Sequence, residues 1–101
     1  MSSMTIRILN SKTWVTAQGE ILKPEEMTKD HISSCMTFLY RKRDLLLFNS
    51  TPELIEDCTD PDDFFERYVK RSTIWNEFMK ALKNPKEDLI RIYEDVQEEY
   101  L

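Results

Sequence analysis

Three of the rarest residues in the chain lie close together, and each could take part in chemistry. Residues 13–36 contain the only histidine, His31, the only glycine, Gly19, and one of the two tryptophans, Trp14. A histidine can serve as a general base, a metal ligand or a pH sensor. Catalysis also requires a nucleophile and an orienting group in a recognisable arrangement, and the serines and cysteine that follow His31 form no such motif. We therefore expect that the protein is not an enzyme.

The same residues can instead shape one local structure. Gly19 suits a hairpin turn that needs a positive φ angle, and Trp14 would then cover the start of the helix that follows. An exposed Trp14 would be an anchor for a protein partner, because tryptophan is enriched among the residues that dominate binding energy. The sequence leaves structural and binding roles open for both Trp14 and His31.

The scarcity of glycine also predicts a mainly helical chain, because sheets with tight turns usually need more of it. We predict an α+β fold that is mainly α, in a single domain over residues 1–101. A small β-hairpin region in residues 1–23 should pack on a three- or four-helix bundle in residues 24–101.

Short β-prone pieces around Gly19 predict a hairpin over about residues 13–22. Residues 4–9 are consistent with a further strand, because Met4, Ile6 and Ile8 alternate with other residues.

Capping residues and prolines predict where the helices begin. They indicate one helix after the N-cap Thr28, one over about 52–57, one from Pro61 to about residue 83, and one from Pro85. The apolar stripe of the last helix comprises Leu89, Ile92, Tyr93, Val96 and Tyr100. The apolar run Leu45, Leu46, Leu47 and Phe48 fits either a core or a partner surface.

Charge is unevenly distributed along the chain. Residues 1–48 carry seven Lys and Arg against five Asp and Glu, whereas residues 49–101 carry seven against fourteen. An acidic second half argues against direct nucleic-acid binding, because phosphate contacts need cations. It favours a protein partner with a basic surface. The expected contact residues are Trp14, His31, Asp60, Asp62, Asp63, Glu94, Asp95 and Glu98.

Two dense basic clusters offer an alternative, a site for a nucleotide or another small anion, assembled across an oligomer interface. Its expected residues are Tyr40, Arg41, Lys42, Arg43, Lys70 and Arg71. Solvated lysines and arginines on helix surfaces would give the same pattern.

No cofactor or metal site is expected. The carboxylates between Glu56 and Asp63 lack the turn glycine of a calcium loop. Cys35 and Cys58 do not make a disulfide framework, no stretch is apolar enough to span a membrane, and no signal-peptide pattern opens the chain. We expect a cytoplasmic protein whose cysteines are buried.

Part of the chain resembles short bacteriophage proteins of unknown function. The residues that carry the resemblance are Trp14-x-Thr16-x-x-Gly19 and then Met27-Thr28-x-x-His31-Ile32. The likeness covers about residues 13–40, and Ser34 stands where those proteins often have asparagine. The resemblance implies a factor for host takeover or anti-defence that acts by binding in the host cytoplasm, and it implies no catalytic residue.

The leading hypothesis is therefore a non-catalytic phage-type protein that binds and modulates a host protein. The alternatives are an oligomeric binder that sequesters a nucleotide and a virion or assembly component. The last alternative depends only on the amphipathic helix that ends the chain.

Overall fold

The computed structural model describes residues 3–83 and 85–99, except for the side chains of Asp95 and 97–99. The fold is mainly helical with one small antiparallel hairpin, which confirms the predicted α+β class. The elements are α1 (Met4–Leu9), β1 (Trp14–Val15), β2 (Ile21–Leu22), a 3₁₀ turn (Pro24–Glu26), α2 (Lys29–Arg41), α3 (Arg43–Phe48), α4 (Pro52–Asp57), α5 (Pro61–Phe64), a π-helical turn (Phe65–Val69), α6 (Thr73–Ala81) and α7 (Pro85–Glu99).

The hairpin lies where the sequence predicts it. Trp14 pairs with Leu22 and Val15 pairs with Ile21. Gly19 has a φ angle of 86° and is the residue that lets the turn close; its N–H donates to the carbonyl of Thr16 at 2.9 Å. Positive φ is nearly free of steric cost for glycine, so this turn needs it.

The prediction of a strand at residues 4–9 is wrong, because these residues form α1. The Ser3 hydroxyl caps the helix by accepting the Ile6 N–H. The two buried residues of α1, Thr5 and Leu9, are one helical turn apart, so the buried face has helical and not strand spacing. The Thr5 hydroxyl donates to the carbonyl of Leu46 at 2.7 Å, which joins α1 to α3.

Helix α2 follows the predicted pattern. The Thr28 hydroxyl accepts the His31 N–H as an N-cap, and the helix buries Ile32, Cys35, Met36 and Leu39. Helix α3 then places Leu46 in the core, whereas Leu45 and Phe48 are exposed. The apolar run at 45–48 therefore serves the core with one side and faces solvent with the other.

The predicted long helix from Pro61 to about residue 83 is wrong in one respect, because it is broken near its middle. A π-helical turn ends at Val69, and Lys70 N–H donates to Phe65 O at 3.0 Å. The buried Ser72 hydroxyl then donates to Val69 O and accepts the Trp75 N–H, so it closes one helix and caps α6. A side chain that bonds the backbone on both sides competes with a continuous helix.

Helix α7 packs along α2 with its predicted stripe inward. Ile92 and Val96 are buried, and Leu89 and Tyr93 are partly buried against the core. Tyr100, predicted to continue the stripe, lies outside the described residues, as does Asn84. No helix in the part of the chain that the structure describes is both long and apolar enough to cross a membrane.

Aromatic residues form the centre of the core. Phe65 meets Trp75 edge to face at 5.2 Å between ring centroids, and Tyr40 packs between Phe65 and Tyr93 at 4.8 and 4.9 Å. The hairpin joins this core through Trp14. One face of the hairpin is therefore fixed to the helices, and its other face is left for solvent.

Candidate functional site

A groove of about 840 Å³ runs between α1, β1 and α2. We call it the Trp14 groove. Its walls comprise Met4, Arg7 and Ile8 of α1, residues 11 and 13–17 around β1, and His31, Ser34, Cys35 and Phe38 of α2. The structure thus brings together Trp14 and His31, the two residues that the sequence singled out for their rarity.

Trp14 forms the aromatic wall of this groove. Its ring lies 6.0 Å from that of Phe38 in an edge-to-face arrangement and 5.6 Å from that of Phe78 in a tilted one. Aromatic pairs at these distances contribute beyond their buried area. Trp14 is only half-buried, so it fixes the hairpin to the helices and also lines the groove.

His31 lies in the first turn of α2, with its side chain exposed at the groove wall. Its backbone N–H donates to the Thr28 hydroxyl at 3.2 Å. One helical turn later, Cys35 lines the same wall. Thr28 therefore sets where α2 begins, and that start determines which α2 side chains face the groove.

The Cys35 thiol is poorly suited to act as a nucleophile. It is buried and makes no disulfide, and burial raises its pKa to about 11. The thiolate is the reactive form of cysteine. At neutral pH this side chain is therefore a protonated thiol, and the His31–Cys35 pair offers no activated nucleophile.

The groove is apolar with one full positive charge. Among the described residues, Arg7 is the charged side chain in its lining, and no aspartate or glutamate lines it. This local balance is opposite to the net charge of −5 for the whole chain. The chemistry of the groove therefore differs from that of the acidic second half.

Apolar side chains continue beyond the groove onto the exposed face of the hairpin. Val15 is 59% exposed and its register partner Ile21 is 70% exposed. Met4, on the opposite wall, is also 70% exposed. Directly opposite residues in an antiparallel pair share one face, so Val15 and Ile21 form one apolar surface. Apolar residues on both faces of so short a hairpin are a sequence signal that could have indicated this surface.

The predicted acidic contact residues around α5 are largely occupied within the fold. The Asp60 carboxylate caps α5 by accepting the Asp63 N–H at 2.7 Å. The Asp62 carboxylate lies 2.6 Å from Arg43, and that of Asp63 lies 3.1 Å from Arg67. None of these residues lines the Trp14 groove, so the structure does not unite them with Trp14 and His31.

A charged network beside α5 was not predicted from the sequence. Arg67 also pairs with Asp57 at 2.7 Å, and the Tyr68 hydroxyl donates to the same carboxylate. These contacts, with the Tyr68 hydrogen bond first, hold the pKa of Asp57 below its ordinary value. The network joins α4 to the π-helical turn and has a structural role.

The predicted acidic contacts on α7 are only partly described. Glu94 is exposed on the helix surface. The side chains of Asp95 and Glu98 lie outside the described part of the chain.

The two basic clusters are also engaged by neighbours within the fold. Arg43 pairs with Asp62 and lies 4.4 Å above the ring of Tyr40, which is itself packed in the aromatic core. Lys70 pairs with Glu66 at 3.0 Å. The remaining predicted members are Arg41, which is partly buried, and Lys42 and Arg71, which are exposed.

The described residues contain no group of three or more histidine, cysteine, aspartate or glutamate side chains arranged to hold a metal ion. The lining of the Trp14 groove is mostly apolar, with one cation, Arg7, and one imidazole, His31. Comparison with known proteins adds no family: no protein-family model, no curated protein and no solved structure matches the chain.

Proposed function

We propose that this chain is a non-catalytic protein-binding module and that its partner inserts an apolar segment into the Trp14 groove. The observation that carries the proposal is the continuous apolar surface formed by the groove and by the exposed pair Val15 and Ile21. Contiguous exposed apolar surface on a small protein marks interaction sites, because leaving it in water is unfavourable.

A protein fits this surface better than a small molecule does. A drug-sized ligand is usually enclosed by its pocket, whereas Met4 and Val15 of the groove wall are 70% and 59% exposed and Ile21 lies outside the lining. Burying them requires a partner that extends past the rim. The resemblance to bacteriophage proteins in residues 13–40 leads us to propose that this partner is a host protein.

The chemistry of the groove supports binding over catalysis. Cys35 is protonated at neutral pH because its pKa is about 11, and the lining has no carboxylate to orient His31. An acid–base pair is therefore lacking among the described residues of the groove. A nucleotide-sequestering function has less support, because carboxylates already pair with Arg43 and Lys70.

The test compares two substitutions of equally exposed apolar residues. Val15→Asp places a charge at the groove, whereas Ile90→Asp places one on α7, outside the groove lining; the two wild-type residues are 59% and 57% exposed. Each tagged variant and the wild type would be incubated with bacterial lysate, and captured proteins quantified by mass spectrometry. Circular dichroism would verify that both variants fold.

We expect one protein captured in stoichiometric amount by the wild type and by Ile90→Asp, and lost with Val15→Asp. Capture that survives Val15→Asp, or the absence of any stoichiometric partner from the lysate, would contradict the proposal.

A further inference from the structure

We propose that the segment bound in the Trp14 groove is an extended, acidic peptide that pairs with the outer edge of β1 and places a carboxylate against Arg7. This inference rests on the proposed function and names the chemistry of the partner. It reverses the prediction from the sequence, in which an acidic surface attracts a basic partner.

The charge of the groove favours an acidic partner. Arg7 lies in the last turn of α1 with an exposed side chain, and it forms no ion pair with any residue that the structure describes. His31 lies on the opposite wall, and no carboxylate of the described residues lines the space between them. A charge-assisted hydrogen bond from arginine to a carboxylate is stronger than a neutral one. The groove therefore selects an acidic side chain.

The backbone groups of Val15 in β1 point away from β2. In an antiparallel pair, hydrogen-bonded and non-hydrogen-bonded residue pairs alternate. Thr16 N–H donates to Glu20 O at 2.9 Å, so the next hydrogen-bonded pair is Trp14 with Leu22. Val15, between them, therefore directs its own N–H and C=O away from β2, toward the outer edge of the hairpin.

The outer edge of β1 lies at the groove. Residues 13–17 all line it without a gap. The side chains of Trp14 and Val15 in β1 lie on opposite faces of the strand, so a space that both residues line runs along the strand's edge. An extended peptide lying there can exchange hydrogen bonds with Val15, which is how strands are added to exposed sheet edges.

The length of this pairing is limited by Ser11. Its hydroxyl accepts the Thr13 N–H at 3.1 Å and donates to the Thr13 carbonyl at 2.9 Å, which satisfies the edge groups of that residue. Pairing therefore centres on Val15, and apolar contacts with Trp14 and Phe38 must supply much of the affinity.

The charge argument is tested by selection from a displayed library of random 12-residue peptides. Three proteins would be used as bait: the wild type, Arg7→Glu, and Arg71→Glu as the matched control. Both substitutions reverse one exposed arginine and change the net charge equally, but only Arg7 lines the groove.

We expect peptides enriched by the wild type and by Arg71→Glu to alternate apolar residues and to contain Asp or Glu. Arg7→Glu should enrich Lys or Arg at the same position. Enrichment of basic peptides by the wild type, or the same acidic motif with Arg7→Glu, would overturn the inference.

The backbone argument is tested with the best acidic peptide from that selection. Proline lacks an N–H and is tolerated at sheet edges where that group points outward. Val15→Pro should therefore weaken peptide binding about tenfold, the loss expected for one hydrogen bond. Ile21→Pro, at the opposite edge of the same hairpin, removes an N–H that the peptide does not contact, so it should weaken binding less than Val15→Pro does.

A reciprocal experiment avoids any effect of these prolines on folding. Methylating the peptide amides one at a time should reduce binding to the wild type at the amide that donates to Val15 and not at its two neighbours. If methyl groups are tolerated equally at every position, or if binding is lost at positions three and four residues apart as in a helix, the peptide does not bind as an extended strand. If the peptides do not bind but capture of the host protein still depends on Val15, the inference is contradicted and the proposed function is supported. If capture does not depend on Val15, both are contradicted.

Discussion

The indole of Trp14 meets the ring of Phe38 edge to face, with 6.0 Å between centroids, at the junction of the hairpin and α2. Phe78 of α6 supports the same indole at 5.6 Å. One side chain therefore holds the hairpin on the helices and forms a wall of the groove. Binding and stability are coupled at this residue, and the variants below are chosen to separate them.

Replacing Trp14 should affect both properties. We expect Trp14→Ala to lower the free energy of unfolding by about 2–4 kcal/mol, because it removes packing on two aromatic rings. Trp14→Phe keeps an aromatic contact and should cost less than about 1.5 kcal/mol. Urea denaturation measures both values. Equal losses for the two variants would show that the aromatic contacts with Phe38 and Phe78 do not hold the hairpin.

The hairpin turn should be sensitive to the backbone conformation of Gly19. Its φ angle is 86°, and no atom of the described residues lies within 4 Å of the position a Cβ would take. Gly19→Ala should therefore cost about 1–2 kcal/mol from backbone strain and none from a clash. Gly19→Asn should cost less, because asparagine tolerates positive φ better. Thermal melts of the three proteins would test this order; an alanine variant as stable as the wild type would contradict it.

The buried carboxylate of Asp88 should require Lys29. The Lys29 Nζ lies 3.1 Å from Asp88 Oδ1, and the two side chains are 53% and 3% exposed, while Asp88 Oδ2 has no hydrogen-bond partner among the described residues. Lys29→Met should lower the free energy of unfolding by about 1–3 kcal/mol, because it leaves a buried charge without its counterion. Adding Asp88→Leu should recover stability, since an apolar replacement removes the buried charge. Urea denaturation of the two single variants and the double variant measures this coupling. A double variant whose loss of stability equals the sum of the two single losses would contradict it.

The network at Asp57 should make stability depend on pH at the acidic end. The Tyr68 hydroxyl and Arg67 lower the pKa of Asp57 in the folded chain. Such a carboxyl stabilises the fold above its unfolded pKa, about 4, and this contribution is lost as pH falls through the lower folded pKa. Tyr68→Phe should therefore be less stable than wild type at neutral pH, and the difference should shrink on acidification toward about pH 2.

The control for that experiment is the Asp57→Asn background. There the substitution Tyr68→Phe should change stability by the same amount from about pH 2 to about pH 7. With Asp57 present, the stability difference between the wild type and Tyr68→Phe should depend on pH. If that difference is independent of pH, the Asp57 carboxyl is not its source.

Signals that act over a few residues allowed much of the fold to be predicted. Thr28 caps α2 by bonding the N–H three residues ahead, and Gly19 adopts the positive φ angle of its turn, which glycine does at little steric cost. The stripe from Ile32 to Leu39 is buried as its spacing indicates. Each of these features depends on its own short segment.

Features that depend on distant residues could not be predicted in this way. The burial of Thr5 depends on the carbonyl of Leu46, which is 41 residues away in sequence. The break before α6 depends on Ser72 bonding the backbone on both sides, although its position also fits an apolar stripe. Periodicity alone did not distinguish these outcomes from a strand and a continuous helix.

The candidate site shows the same division. Trp14 and His31 were singled out by rarity, and both line the groove. Arg7 was not, because it joins them only once α1 is a helix packed beside the hairpin. The acidic residues around α5 were predicted as a partner surface from composition, but Arg43 and Arg67 engage Asp62 and Asp63. Composition gives the number of charges and not their pairing.

The most direct test of the central claim is amide hydrogen exchange of this chain with and without the host protein captured in a Val15-dependent manner. We expect the backbone amides of residues 13–17 and of the first turns of α2 to exchange more slowly when the host protein is bound. Protection confined to α5 and its acidic neighbours, or to the exposed side of α3, would contradict the claim that the Trp14 groove is the binding site.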